Sequence, residues 1–360
     1  MKTLGKLFLG LGLGITGMLL IANPSLAEKT KAPLELVSVK ADTAITLDAM
    51  AEKAWDKATA LEVKMDQLPY EPDNGYGGIR ETTATIKSLY DDKYVYFFLQ
   101  YADPTQSFAR FPWVKQTDGT WKQLKKKDST GHDNTYYEDK VGFYWEIKAK
   151  GFKKKGCAVS CHMTENGLNN GIADTSAGRK YTNSPDETID MWHWKSVRTG
   201  PLGFFDDQFV DSNTDPKVDK NWGRHGDVKT GGGYKDNINE AKTGPAFMNS
   251  PYSEEDKYWV LQRSKAEFVD MFKSGDIVPG IVISPFTGGH RADITVKSAW
   301  KDGMWTLEIK RALTTSGDKA DIQDVQFSDL GKVYYFGLSV FDNSQINHVY
   351  HEGSIGMTFK

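Results

Sequence analysis

The chain has 360 residues, with 45 basic side chains against 48 acidic ones and a net charge of −3. So slight an acidic excess argues against a nucleic-acid binder, and two cysteines are too few for a disulfide-built scaffold. The length suffices for one large domain or two ordinary ones with a sizeable buried core.

The first 27 residues read as a secretory signal peptide. Lys2 and Lys6 make a basic start, Leu7 to Ile21 an apolar stretch, and Asn23-Pro24-Ser25-Leu26-Ala27 a small-residue site, with cleavage expected after Ala27. The apolar stretch falls short of the roughly 20 residues that cross a bilayer. Removing it leaves 360 − 27 = 333 residues and, without Lys2 and Lys6, a charge of 43 − 48 = −5. No later segment approaches a membrane span, so the expected product is periplasmic or otherwise extracytoplasmic.

Residues 28–360 are expected to form one mainly β domain. Aromatic and β-branched runs recur at Thr83–Lys87, Tyr94–Tyr101, Val141–Ile147, Ala292–Val296, Met304–Ile309 and Val333–Val340, several of them alternating apolar with polar. That period of two marks strands with one buried face. Asp91-Asp92-Lys93 looks like a hairpin turn. Short helices are expected only at Met50–Leu61 and Lys265–Phe272. Together these predict an antiparallel β-sandwich of the immunoglobulin-like or carbohydrate-binding-module-like kind, with a few short helices. Between about 199 and 256 the pattern dissolves into Gly, Asp, Asn and Lys, which suggests a long loop insertion folded over a site.

The two cysteines lie four apart in Cys157-Ala158-Val159-Ser160-Cys161-His162. A disulfide there would close almost no loop and stabilise little, and zinc would need further Cys or His ligands that no second cluster supplies. In c-type haem attachment two thiols add across the vinyl groups and the next histidine becomes an axial iron ligand. The common spacing places two residues between the cysteines; here there are three, so the loop must bulge. Cys157 and Cys161 are therefore read as covalent haem attachments and His162 as an axial ligand, giving one haem c. Six other histidines compete for the second iron position: His132, His193, His225, His290, His348 and His351. Two contexts stand out. In Asp190–Lys195 the alternation puts Trp192 and Trp194 on one face of a strand and Met191, His193 and Lys195 on the other; this is either a core strand or a ligand strand. The second context is Asp342–His351, at a tip between closing strands.

Leu89–Tyr96, Gly156–His162, Asp190–Lys195, Arg198–Gly203, Trp305–Arg311 and Val340–Asn343 together resemble the haem-binding domain shared by ethylbenzene dehydrogenase gamma subunits and related dimethyl-sulfoxide-reductase-type enzymes, in its c-type branch. The resemblance implies a sandwich that clasps haem and exchanges electrons with a redox partner, such as a molybdenum enzyme or another cytochrome. The b-type gamma subunits ligate iron through a methionine and a C-terminal lysine. Here the Cys/His motif replaces the methionine region and the lysine position falls at His348. The resemblance thus implies bis-histidine ligation, with His348 the leading second axial ligand and His351, Met191 and His193 the alternatives.

Asp211, Asn213, Asp215 and Asp219 follow part of a calcium-loop spacing, but Pro216 stands where glycine is required and Trp222 where the bidentate glutamate belongs, so calcium is not expected. Lys148, Lys150, Lys153, Lys154 and Lys155 run into Cys157, and Lys122, Lys125, Lys126 and Lys127 form a second group; beside a haem edge such charge could steer an acidic partner. The expected function is an exported monohaem electron carrier rather than an enzyme. The alternative is a haem enzyme or ligand sensor with an open sixth position.

Overall fold

Among the described residues, thirteen strands hydrogen-bond into one sheet that closes over its own core. The computed structural model describes residues 34–69, 76–128, 131–162, 168–169, 172–173, 179–215, 217–253 and 257–360. The expected signal peptide lies outside the described residues. In chain order the strands are β1 (Leu34–Lys40), β2 (Leu61–Met65), β3 (Thr82–Tyr90), β4 (Tyr94–Ala102), β5 (Lys140–Lys148), β6 (Thr188–Lys195), β7 (Asp206–Val210), β8 (Arg224–Gly226), β9 (Thr295–Lys301), β10 (Met304–Ala312), β11 (Tyr334–Phe341), β12 (Val349–Tyr350) and β13 (Ile355–Phe359). Their spatial order is β8-β7-β6-β5-β11-β13-β1-β3-β4-β10-β9, with β2 also paired to β3 and β12 to β11. Within this sheet pairing is antiparallel except at β1, which runs parallel to both β13 and β3.

Two leaves face each other across that parallel junction. Phe97 of β4 meets Phe143 and Trp145 of β5 and Trp192 of β6 at ring separations of 5.8–6.0 Å, and Trp305 of β10 meets Trp194 at 4.9 Å. Each such aromatic removed from water contributes about 1.5–3 kcal/mol, and each ring pair about 0.5–1.5 kcal/mol more. The outer edges meet as well: Phe204 bridges Thr295, and Phe205 N–H donates to Ile294 O at 3.0 Å. The alternation of the core strands thus produces the expected sandwich, in which Trp192 and Trp194 point inward.

Turn chemistry sets the registers. Asp91 accepts from Lys93 and Tyr94 N–H groups at 2.7 and 2.8 Å, making the β3–β4 hairpin expected there. Asp302 and Gly303, both at positive φ, make the two-residue turn between β9 and β10.

Several details differ from expectation. Met50–Leu61 yields only a 3-10 turn at Lys53–Lys57, pinned where Trp55 Nε1 donates to Glu308 Oε1 at 2.8 Å. Lys265–Glu267 is a strand paired with Phe247–Asn249 rather than a helix, because its backbone groups are satisfied across the ladder. The 199–256 span contains β7 and β8 of the main sheet, then Gly231–Asp236 paired with Ile281–Thr287.

Candidate functional site

The cysteine segment is held on the outer face of the β5/β6/β11 leaf. A short helix, α1 (Phe152–Lys155), follows β5, and Phe152 is fully buried among Tyr144, Val159, Ile189, Met191 and Val210. A 3-10 turn then carries Cys157–Val159. Two glycines permit the close approach. Gly156 (φ 56°) bridges Gly353, and a Cβ there would lie 1.8 Å from Gly353 O. A Cβ on Gly337 of β11 would lie 3.0 Å from Cys157 N and 3.2 Å from Cys157 Cβ. Neither cysteine is in a disulfide.

Between this segment and the sheet lies a small cavity lined by Pro69, Gly142, Tyr144, Cys157, Ala158, Cys161, Lys180, Met191, Ser339, Phe341, His348 and Tyr350. Its floor follows from strand alternation: residues 142 and 144, 191, and 339 and 341 face outward, while Phe143, Trp192 and Leu338 face the core.

The electrostatics favour neutral imidazoles around one fixed cation. His348 Nδ1–H donates to Ile346 O at 2.8 Å, so Nε2 is the ring nitrogen left with a lone pair. Burial, with Lys180 and Lys140 adding to it, pushes its pKa down to about 3. Burial disfavours the Lys180 ammonium, but Tyr144 and the two cysteines outweigh that and hold its pKa above the usual lysine value. Cys157 is pushed up to about 12 by burial and is a neutral thiol. His162 is lowered, first by burial, and its Nε2–H donates to Tyr181 O at 3.1 Å while its ring stacks on Tyr181 at 3.7 Å.

Of the residues singled out in the sequence, the fold brings Cys157, Cys161, His348 and Met191 to one cavity. His162 adjoins Cys161 but rests against Tyr181 and does not line the cavity. His193 is buried one ring further back, 5.7 Å from Phe341, which in turn lies 4.6 Å from His348; neither His193 nitrogen has a hydrogen-bond partner. His351 does not line the cavity, its Nδ1 being bonded to Lys64 O at 2.9 Å. Lys180, Tyr144 and Tyr350 also line it and carried no sequence signal beyond the nearness of Tyr350 to His348. In the calcium-like spacing, Asp211 and Asp219 flank His225, each 3.0 Å from a ring nitrogen. Lys153, Lys154 and Lys155 are exposed beside Cys157. Among the described residues no helix is long and apolar enough to cross a membrane.

The ethylbenzene dehydrogenase family profile matches residues 52–353, which spans both leaves and the cavity. The chain belongs to the ethylbenzene dehydrogenase family. A search of the curated proteins returns no match. Among solved structures, a family 9 carbohydrate-binding module from Caldicellulosiruptor kristjanssonii in complex with cellotriose is 10% identical, with 91% of this chain and 94% of that one covered and a TM-score of 0.31. Its complex with glucose is 9% identical, over 91% and 96% of the two chains, with a TM-score of 0.32.

Proposed function

We propose that this family member is an exported monohaem c-type cytochrome that passes electrons to or from a redox partner, with a molybdenum enzyme as the partner class that the family favours. The observation that supports it is the convergence of both cysteines with His348 and Met191 on one cavity, although Cys161 and His348 lie far apart in the chain. The donor set fits a covalent haem. Cys157 and Cys161 would supply the two thioether sulfurs, and His162, which stacks on Tyr181, and His348, through Nε2, would hold the iron. The Nδ1–H bond from His348 to Ile346 O is the outer contact that commonly fixes a metal-bound imidazole. Haem bound there would supply a one-electron couple, and Lys180, which lines the same cavity, would offer positive charge to a haem carboxylate.

The test is expression with its leader in a host able to attach haem, followed by a pyridine haemochrome assay and intact mass. One haem per chain, lost when Cys157→Ala and Cys161→Ala are combined, is the expected result; a colourless product at polypeptide mass refutes it. A near-infrared magnetic circular dichroism band for bis-histidine iron tests His348. A reduced spectrum unchanged by carbon monoxide separates a carrier from an enzyme or sensor with an open position.

A further inference from the structure

We propose that Asp227, His290 and Asp324, with Asp207 and Asp293 beside them, bind a divalent cation at the seam where the outer edges of the two leaves meet. The site is distinct from the cysteine cavity: it adjoins Asp190 on β6, whose neighbour Met191 faces the opposite side of the leaf.

Four separate stretches build it. Asp207 comes from β7, Asp227 follows β8, His290 and Asp293 precede β9, and Asp324 ends the short helix α2 (Ala320–Gln323). Backbone bonds of 3.1 Å draw them together, from Asp207 N to Arg291 O, Asp227 N to Asp207 O and Asp293 N to His290 O. One ligand atom from each of Asp227, His290 and Asp324 lies within 4.8 Å of the others, and the same holds for Asp207, Asp293 and Asp324. A span of that size is what opposite ligands of one ion cover at roughly 2.3–2.6 Å each.

The polar atoms here are buried. Asp207 is 0% exposed, Asp324 1%, Asp227 2% and His290 5%. Both carboxylate oxygens of Asp227, Oδ1 of Asp324, Oδ2 of Asp207, Oδ1 of Asp293 and Nδ1 of His290 have no hydrogen-bond partner outside the group itself, where Asp227 faces Asp324 and Asp293 faces Asp207. Buried polar groups in native proteins are nearly always paired, so a group of six calls for a shared partner. The imidazole is already committed. Its Nε2–H donates to Asp318 O at 3.2 Å, and Gly317 leaves room for the ring. Its other ring nitrogen, Nδ1, faces Asp227 Oδ2 at 3.2 Å and Asp324 Oδ2 at 3.5 Å. A histidine with one N–H on a backbone carbonyl and its other nitrogen toward carboxylates is the usual posture of a metal ligand.

Charge balance points the same way. Asp190, Asp207, Asp227, Asp293 and Asp324 crowd together, and Arg311 is the guanidinium that reaches them, 3.6 Å from Asp190 and 3.8 Å from Asp324. One guanidinium therefore faces five carboxyl groups. The mixed oxygen and nitrogen set admits calcium, held by the oxygens alone, or a manganese- or zinc-class ion that also takes Nδ1.

The full-length protein, purified without chelators and desalted, is analysed for calcium, manganese and zinc. Iron is assayed separately against the haemochrome, so the result is independent of the haem proposal. About one non-iron divalent ion per chain is expected, with a melting temperature that falls in EDTA and recovers on adding Ca2+, Mn2+ or Zn2+. Asp227→Asn and Asp324→Asn are expected to weaken binding by roughly tenfold or more. His290→Gln does so for Mn2+ and Zn2+ if Nδ1 is a ligand, and leaves Ca2+ binding intact if the oxygens act alone. The wild-type measurements decide even where a variant fails to fold. Folded protein with no stoichiometric non-iron metal, and a melting temperature unmoved by EDTA or by any of the three ions, overturns the proposal and leaves an array of shared protons.

Discussion

His348→Asn in the haem-free chain isolates one buried imidazole. The asparagine Nδ2 can keep a donor near Ile346 O, where the histidine bond is 2.8 Å, but it does not titrate. His348 has its pKa pushed from 6.5 to about 3 by burial. A base held neutral in the fold and protonated in the unfolded chain makes the unfolded state bind more protons between those values. Stability from this group is therefore greatest above pH 6.5, declines as pH falls toward 3, and is constant below. At pH 4.5, two pH units below the unfolded value, the wild type should have lost roughly 2–3 kcal/mol that the variant retains. Urea unfolding at pH 7 and 4.5, with m unchanged, measures this as a difference between the two proteins, so carboxylate titrations common to both cancel. If the two stabilities move in parallel within about 0.5 kcal/mol across that range, His348 is not buried neutral and the argument fails.

The remaining predictions concern the cysteine segment. Gly156→Ala puts a Cβ 1.8 Å from Gly353 O at a positive φ, and should cost about 2–5 kcal/mol, read as a lower melting temperature and fewer haems per chain. Phe152→Ala removes the buried anchor of α1 and should cost about 3–5 kcal/mol in denaturant unfolding. In the haem-loaded protein, Lys153→Glu, Lys154→Glu and Lys155→Glu combined should slow oxidation by ferricyanide roughly tenfold at low ionic strength. That difference should shrink as salt rises toward about 1 M; rates indifferent to both charge and salt would remove steering from the account.

The alternation in Asp190–Lys195 was enough to separate the inward tryptophans from outward Met191 and His193, because a strand's period is fixed by backbone geometry. The Asp91 turn was equally local. Where the sequence misled, distant partners overrode local pattern. Phe268 and Phe272, four apart, suggest a helical face, yet their rings stack at 5.7 Å and both pack on Trp121 outside any helix. The parallel placement of β1 between β13 and β3 leaves no trace in its own residues. Lys180 and the carboxylates from Asp190 to Asp324 are gathered by sheet order, which no spacing encodes.

The clasp between Gly156 and Gly353, with His348 just before it, has a consequence for biogenesis. During synthesis the cysteine segment emerges well ahead of β12 and β13, so it stays uncovered until that late part of the chain arrives. If haem is attached as proposed, loading after that point would require prying the clasp apart, which would favour attachment before β12 docks.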